Sequence, residues 1–496
     1  MSLNRKLSKS KLSMFLRSKC DRQLYLSLFS NNPQELRAGN VPIPLKSRPG
    51  VQLITQSGRE FEMEQFQEIS RVINSHTISG NNFGAIDLRS GLNRVGEQFP
   101  YFLIQPSFEP EQFRNEAFRN LGVSNDDLKL IPELSGLRPD MIVVLPKSTD
   151  EWEVLPDGTR ARVANNDQRL ALRVVDLKNV TEANASYSAE VCLYAFFLSN
   201  WLNLNPDLKA IYFVSDRVYL WKHVEMPRFT EIKAKATASL SAKATALMED
   251  LEEGCIDFYI YMPSVRKFFK DDVPRVVSGG DRDGWASLPY HVNQKCGACD
   301  YLGIRDWLTR SDSSIYDENS AHYCYPFAEQ TGHLSILPGL SKGATLSLLN
   351  GGINNISELA VLPPNSDVLR THTLLKKDKG HISARADAIL NNRLTIDQIA
   401  RISNLASPSK MNAEFDIVVN FDSGTGFLTG IAIRGILFAP YGQKFDDANG
   451  SSTKVFNGQA FVVEKNFIDS EWVALRNFMA TFSRWLACKL PLVSNI

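Results

Sequence analysis

Two stretches decide the fold: LRPDMIVVL at 137–145 and LALRVVDLKNV at 170–180. Both are runs of branched apolar residues, and the polar stretch between them carries the turn signal Pro156-Asp157-Gly158, so both read as strands. Residues two apart on a strand share a face. Asp176 and Lys178 therefore present a carboxylate and an ammonium side by side, and Asp140, on the preceding strand, can join them. Two carboxylates so arranged suit a hard divalent cation, Mg²⁺ or Mn²⁺, that keeps most of its waters, and a bound ion lowers the pKa of a water toward neutrality. The lysine can orient that water or stabilise a pentavalent phosphorane. This set suits phosphodiester hydrolysis; the plain competitor is an ion pair on a strand surface.

The flanking segments add to it. Residues 56–73 have helical spacing through Phe61, Phe66, Ile69 and Val72, and within GREFEMEQF Glu62 follows Gly58 by four positions. SAEVCLYAFFL at 188–198 reads as part of a helix over 186–202, with Glu190 and Tyr194 at i, i+4 on one face. Glu190 is an acid on an otherwise apolar helix, and burial of an acid needs a reason. Strand-like AIYFVSD and VYLWKHVEM follow, then a helix over 228–253. The first 325 residues thus alternate helix and strand as a mixed α/β core does.

In this order, the helix with G-x-x-x-E, the strand acid, the D-x-K strand and the E-x-x-x-Y helix resemble the RecB-type branch of the PD-(D/E)XK nuclease superfamily. The resemblance implies a restriction-endonuclease-like fold, a mixed sheet flanked by helices. It also implies Glu62, Asp140 and Asp176 as metal ligands, Lys178 as catalytic base or water-positioner, and Glu190 with Tyr194 as a substrate-side helix. Glu62 stands where many members have His. Glu190 stands where most have Gln, and it adds negative charge beside DNA.

The cysteines point the same way. KCGACDYLG at 295–303 sets Cys296 and Cys299 in a C-x-x-C, Cys324 follows in HYCYPF, and Cys20 lies in a basic N-terminal segment. That segment carries Arg5, Lys6, Lys9, Lys11, Arg17, Lys19 and Arg22 against Asp21, and reads as one amphipathic helix whose bland role is a solvated face. The arrangement resembles iron–sulfur RecB-type nucleases, including the CRISPR-associated and AddB-like groups, and implies that Cys20, Cys296, Cys299 and Cys324 ligate a [4Fe–4S] cluster joining the ends of the nuclease domain. The interval from Cys299 to Cys324 is longer than is usual there. A zinc site of four Cys, or of three Cys with His322 or His291, is the alternative. Cys192, Cys255 and Cys488 read as buried free thiols.

With 496 residues the chain is expected to hold several domains, and 43% apolar with 22% charged residues excludes wholesale disorder. Basic and acidic residues balance at 55 each, so any nucleic-acid contact must be local. The longest apolar run, 191–198, is too short to span a membrane, and LSMFL is too short for a signal peptide. An odd cysteine count of seven in such a chain suggests a reducing, cytoplasmic setting. Three domains are expected: a nuclease domain over 1–330, a small helical domain over 331–408 and a C-terminal α+β segment over 409–496. LPGLSKGATLSLLNGGI at 337–353 resembles a helix-hairpin-helix, with Gly339 as first turn glycine and Ser341 replacing the second. The last segment, with Asp416, Asp422 and Glu471, resembles part of an RNase H-like domain. Its final strand lacks a partner in sequence, so the chain is expected to be the front of a longer enzyme carrying a helicase motor, or to pack that edge on the hairpin domain. The functional expectation is a DNA nuclease working with a helicase in cis or in trans. Its competitors are a catalytically idle DNA-binding module and a zinc-stapled scaffold.

Overall fold

The structure, a computed structural model, describes residues 5–29, 32–45, 51–180, 184–222, 240–303, 323–378, 381–392, 413–421, 428–438, 453–462, 473 and 475–484. The chain divides into two units: Met1–Lys178 with Ala183–Thr395, and Asn179–Glu182 with Ile396–Ile496. Among the described residues no helix is long and apolar enough to cross a membrane.

The principal elements of the first unit are α1 (Lys9–Ser18), α2 (Asp21–Ser27), α3 (Val51–Ile73), β1 (Thr77–Ile78), β2 (Tyr101–Ile104), β3 (Met141–Pro146), β4 (Leu170–Lys178), α4 (Ala185–Asn203), β5 (Tyr212–Val214), β6 (Arg217–Lys222), α5 (Leu240–Glu252) and β7 (Cys255–Asp257). The strands form one mixed sheet in the order β7-β6-β4-β3-β2-β1, with β5 also paired to β4. The two stretches that carry the acids are neighbours at its centre, antiparallel from Leu170↔Pro146 to Val175↔Met141, while β4 runs parallel to β5 and β6.

Alternation along β4 sorts its side chains. Leu172 and Val174 join a core with Leu12 and Phe15 of α1 and Leu193 and Phe197 of α4. Val175 and Leu177 join another with Phe66 and Ile69 of α3 and Leu247 and Leu251 of α5. Each such buried side chain contributes roughly 1.5–3 kcal/mol. A slip of one residue would exchange the two faces, so this burial also fixes the register on which Asp176 and Lys178 depend.

The N-terminal basic segment is two helices rather than the single one expected. Lys19 adopts left-handed backbone (φ 50°, ψ 35°), its N–H closes on the Phe15 carbonyl, and Cys20 becomes the cap of α2. Nor is its basic side merely a solvated face: Arg22 is buried and Lys9 reaches a buried carboxylate. Cys192 is buried, whereas Cys255 is exposed, against expectation, because it opens the edge strand β7, which among the described residues pairs with β6 alone. Cys488 and His322 lie outside the described residues, as does 228–239 of the expected long helix.

Farther on come α6 (Cys324–Thr331) and α7 (Lys342–Asn350). Gly339 has the positive φ (80°) of a turn glycine. Ser341, at the position of the second glycine, caps α7 by accepting from the Ala344 N–H. This helical segment closes over its own core, which includes Leu337, Leu348 and Leu359.

The second unit is an antiparallel sheet of β8 (Ala413–Phe421), β9 (Leu428–Phe438) and β10 (Thr453–Val462) in that order. A helix over 475–484 buries Phe478 against Ile431 and Ile433. Asp416 is exposed on β8, and Asp422 and Glu471 lie outside the described residues.

Candidate functional site

The antiparallel pairing of β3 with β4 draws Asp140 and Asp176 together. Asp140 directly precedes β3, and its Oδ2 accepts the Leu177 N–H at 2.7 Å. Asp176 is fully buried, and its Oδ2 lies 2.6 Å from Lys178 Nζ. Lys178 Nζ also lies 3.2 Å from Glu190 Oε2, so the acid on the apolar helix α4 has the partner its burial demands. One turn along α4, the Tyr194 hydroxyl donates to the Arg138 carbonyl at 2.7 Å. Glu62 is half-buried on α3 and makes no ion pair with a described residue. Burial pushes its carboxyl up, the Lys178 charge pulls it back, and Asp176 adds to the rise.

One member of the cluster escaped the sequence reading. Lys9, at the start of α1, donates to Asp176 Oδ1 at 3.1 Å and lies 4.8 Å from the centre of the Tyr194 ring. Nothing in the sequence separates it from Lys6 or Lys11; only the packing of α1 against α4 selects it.

Two buried carboxylates side by side cannot both ionise cheaply. Burial and the neighbouring Asp176 charge push Asp140 up to about 8. Burial also works against an ionised Asp176, but Lys178 and Lys9 outweigh it and hold that carboxyl below the usual range. For Lys178 burial favours the neutral amine, yet Asp176 and Glu190 prevail and keep it charged.

The chemistry of these donors fits a divalent cation. Asp176 Oδ2 is buried and, despite its closeness to Lys178, receives no well-formed hydrogen bond. A cation between Asp140 and Asp176 would serve that oxygen and relieve the repulsion that raises Asp140. Among the described residues no three His, Cys, Asp or Glu side chains are gathered tightly enough to enclose a metal ion by themselves. Mg²⁺, however, is commonly held by one or two carboxylates together with water.

Four of the cysteines border a cavity elsewhere in the same unit. Cys20, Cys296, Cys299 and Cys324 line one cavity with Arg22 and His291, and all four thiols are free. Burial pushes all four up, Cys324 to about 12. Metal coordination would deprotonate them outright. Arg22 makes the stronger case for an anionic occupant. Its guanidinium sits 3.8 Å from the Tyr290 ring centre, and its buried Nε and Nη1 lack hydrogen-bond partners. Four thiolates around a metal centre carry net negative charge and would answer those donors. His291 hydrogen-bonds through Nδ1 with Thr345 Oγ1 at 3.3 Å, and burial lowers its pKa, keeping the ring neutral.

Comparison with family models, curated proteins and solved structures finds no match for this chain. The site's chemistry therefore rests on its own geometry: two coupled carboxylates, a charged lysine aimed at them, and a separate four-thiol cavity.

Proposed function

We propose that the chain is a metal-dependent DNA nuclease of the RecB-like PD-(D/E)XK type, with a restriction-endonuclease-like core closed by a [4Fe–4S] cluster, and that it works with a helicase. The observation that carries the reading is the pair of buried carboxyls, Asp140 and Asp176, set beside each other with Lys178 Nζ 2.6 Å from Asp176 Oδ2. Asp140 and Asp176 would hold the divalent ion, with Glu62 as a further carboxylate nearby. When bound, such an ion supplies an activated water and offsets charge at the scissile phosphate. Lys178, held between Asp176 and Glu190, would orient the water or act as its base, and would stabilise the phosphorane. Tyr194, tied to the Arg138 backbone, fixes α4 against the loop that presents Asp140. Cys20, Cys296, Cys299 and Cys324 would hold the cluster, which would tie the N-terminal helices to the segment after residue 290.

The test is end-labelled single- and double-stranded DNA incubated with the full chain and Mg²⁺ or Mn²⁺, with a chelator control. Ion-dependent cleavage is expected. DNA bound but uncut would make the chain an idle binding module. Protein purified without oxygen should be brown with about four irons per chain; colourless protein with stoichiometric zinc would replace the cluster by a zinc site.

A further inference from the structure

An open groove of about 680 Å³ runs beside the candidate active site, the size of a ligand cleft rather than of a packing defect. Arg17, Lys19 and Lys295 line it, together with Asn184 and Ser186 at the start of α4, and no described Asp or Glu does. Lys342, at the first position of α7, reaches its rim by donating Nζ to the Lys19 carbonyl. Lys295 Nζ likewise donates to the Arg17 carbonyl at 3.1 Å.

These four cations gather at one groove with no carboxylate paired to any of them among the described residues. Lys9, Arg160, Arg169, Arg173 and Arg275 all find carboxylates, whereas Arg17, Lys19, Lys295 and Lys342 form no ion pair among the described residues. In a chain whose charges cancel overall, that is a concentrated local surplus. Burial lowers the pKa of Lys19, and Lys267 and Lys342 lower it further against the pull of Asp272. Like charges gathered along one groove raise the local concentration of an anionic ligand there.

The groove also connects to the carboxylates. The partly buried Tyr187 ring has the guanidinium of the groove residue Arg17 5.7 Å from its centre and Lys178 Nζ at 5.4 Å. Cations contributed by the C-terminal end of α1 and its cap, the 3₁₀ turn Gln294–Ala298 and the start of α7 make an extended track rather than a cage around one small anion. We propose that this track binds successive phosphates of a nucleic-acid strand and leads it past Tyr187 to Lys178 and Asp176. The inference rests on the nuclease reading for the identity of its ligand.

Binding of a labelled single-stranded oligonucleotide to the full chain in chelator, at several salt concentrations, tests the track without any cleavage. Arg17→Gln with Lys342→Gln alters neither a cysteine nor its neighbour in sequence, and iron content per chain checks that the thiol cavity is undisturbed. It should weaken binding about tenfold or more at low salt and make the log–log salt slope shallower by about 1.4, at roughly 0.7 per lost phosphate contact. Adding Lys295→Gln should extend both effects. Unchanged affinity and slope in a double variant that melts like the parent would overturn the proposal. So would polyglutamate displacing the oligonucleotide as well as unlabelled oligonucleotide of equal charge does, which would make the groove a site for acidic protein. The two readings fail separately: cleavage with binding unaltered in the variants removes only the track, and variant-sensitive binding without cleavage under any metal removes only the nuclease.

Discussion

Arg173 and Asp176 stand three residues apart on β4, and each anchors a buried polar cluster on its own face of the sheet. Around Arg173 every group is matched. Its guanidinium meets Glu151 at 2.8 Å, the Tyr219 hydroxyl at 2.9 Å and Glu252 at 3.0 Å. Glu151 also accepts from the Ser148 N–H and the Ser215 hydroxyl. Burial opposes its charge, but Arg173 and these donors hold its carboxyl below the usual range. Around Asp176 the opposite holds: a carboxylate oxygen has no aligned donor, and a neighbouring carboxyl is pushed far up. A fully satisfied network fixes a fold. One that holds two carboxyls together with displaced pKa values is shaped for something that arrives later.

The widest separation between the two faces should come from Arg173→Met. It leaves Glu151 charged and buried without its partner, so stability should fall by about 3–5 kcal/mol, read by denaturant unfolding. Cleavage per folded molecule should stay at the parent's level. Lys178→Ala should act mainly on the chemistry: cleavage per folded molecule lower by about 10²–10³-fold, with some loss of stability because Glu190 is left buried without its partner. Unchanged cleavage in Lys178→Ala would end the active-site assignment.

Loss of Lys9 should be milder. Lys9→Met removes one charged hydrogen bond from Asp176 and should cost about 1.5–3 kcal/mol of stability. A melting curve identical to the parent's would mean that α1 does not reach the site in solution.

The pH dependence sharpens the contrast further. Asp140 has a folded pKa above its unfolded one, so its stabilising contribution is complete below about pH 4 and is lost as the pH rises through about 8. Asp176 has the opposite sign: its contribution is present above the unfolded carboxylate pKa and is lost only in acid. Asp140→Asn removes the penalty that grows with pH. Its midpoint, relative to the parent's, should therefore climb between about pH 5 and about pH 8. In the same range Mg²⁺ should stabilise the parent more at the higher pH, where fewer protons compete for Asp140. A pH-independent difference would show that the two carboxylates do not share a field.

Glu190→Gln should have the smallest effect. The amide keeps an acceptor for Lys178 and removes a negative charge, so cleavage should persist or rise. Complete loss would make Glu190 a ligand or an acid–base group.

Part of this was legible in the residues. The strand pair at 141–146 and 170–178, the long apolar helix and the shared face of Asp176 and Lys178 follow from periodicity, because alternation on a strand and i, i+4 spacing on a helix are local. The partner of Glu190 could be demanded but not named. The Arg173 cluster gave no sign, since Glu151, Tyr219 and Glu252 come from three separate segments. The break at Lys19 was equally hidden: a left-handed lysine costs about 1–2 kcal/mol against a continuing helix, and the tertiary packing of α1 and α2 must overcome it.

By itself the sequence determined the strands at 141–146 and 170–178, the apolar helix α4 and which side of β4 carries charge, because burial of one face per element is written in the order of apolar residues. Tertiary structure alone decided that Lys9 meets Asp176, that Cys20 shares a cavity with Cys296, Cys299 and Cys324, and that four unpaired cations border one groove. Those encounters join residues up to hundreds of positions apart, and their pKa values, hydrogen bonds and field depend on a through-space closeness that no local spacing encodes.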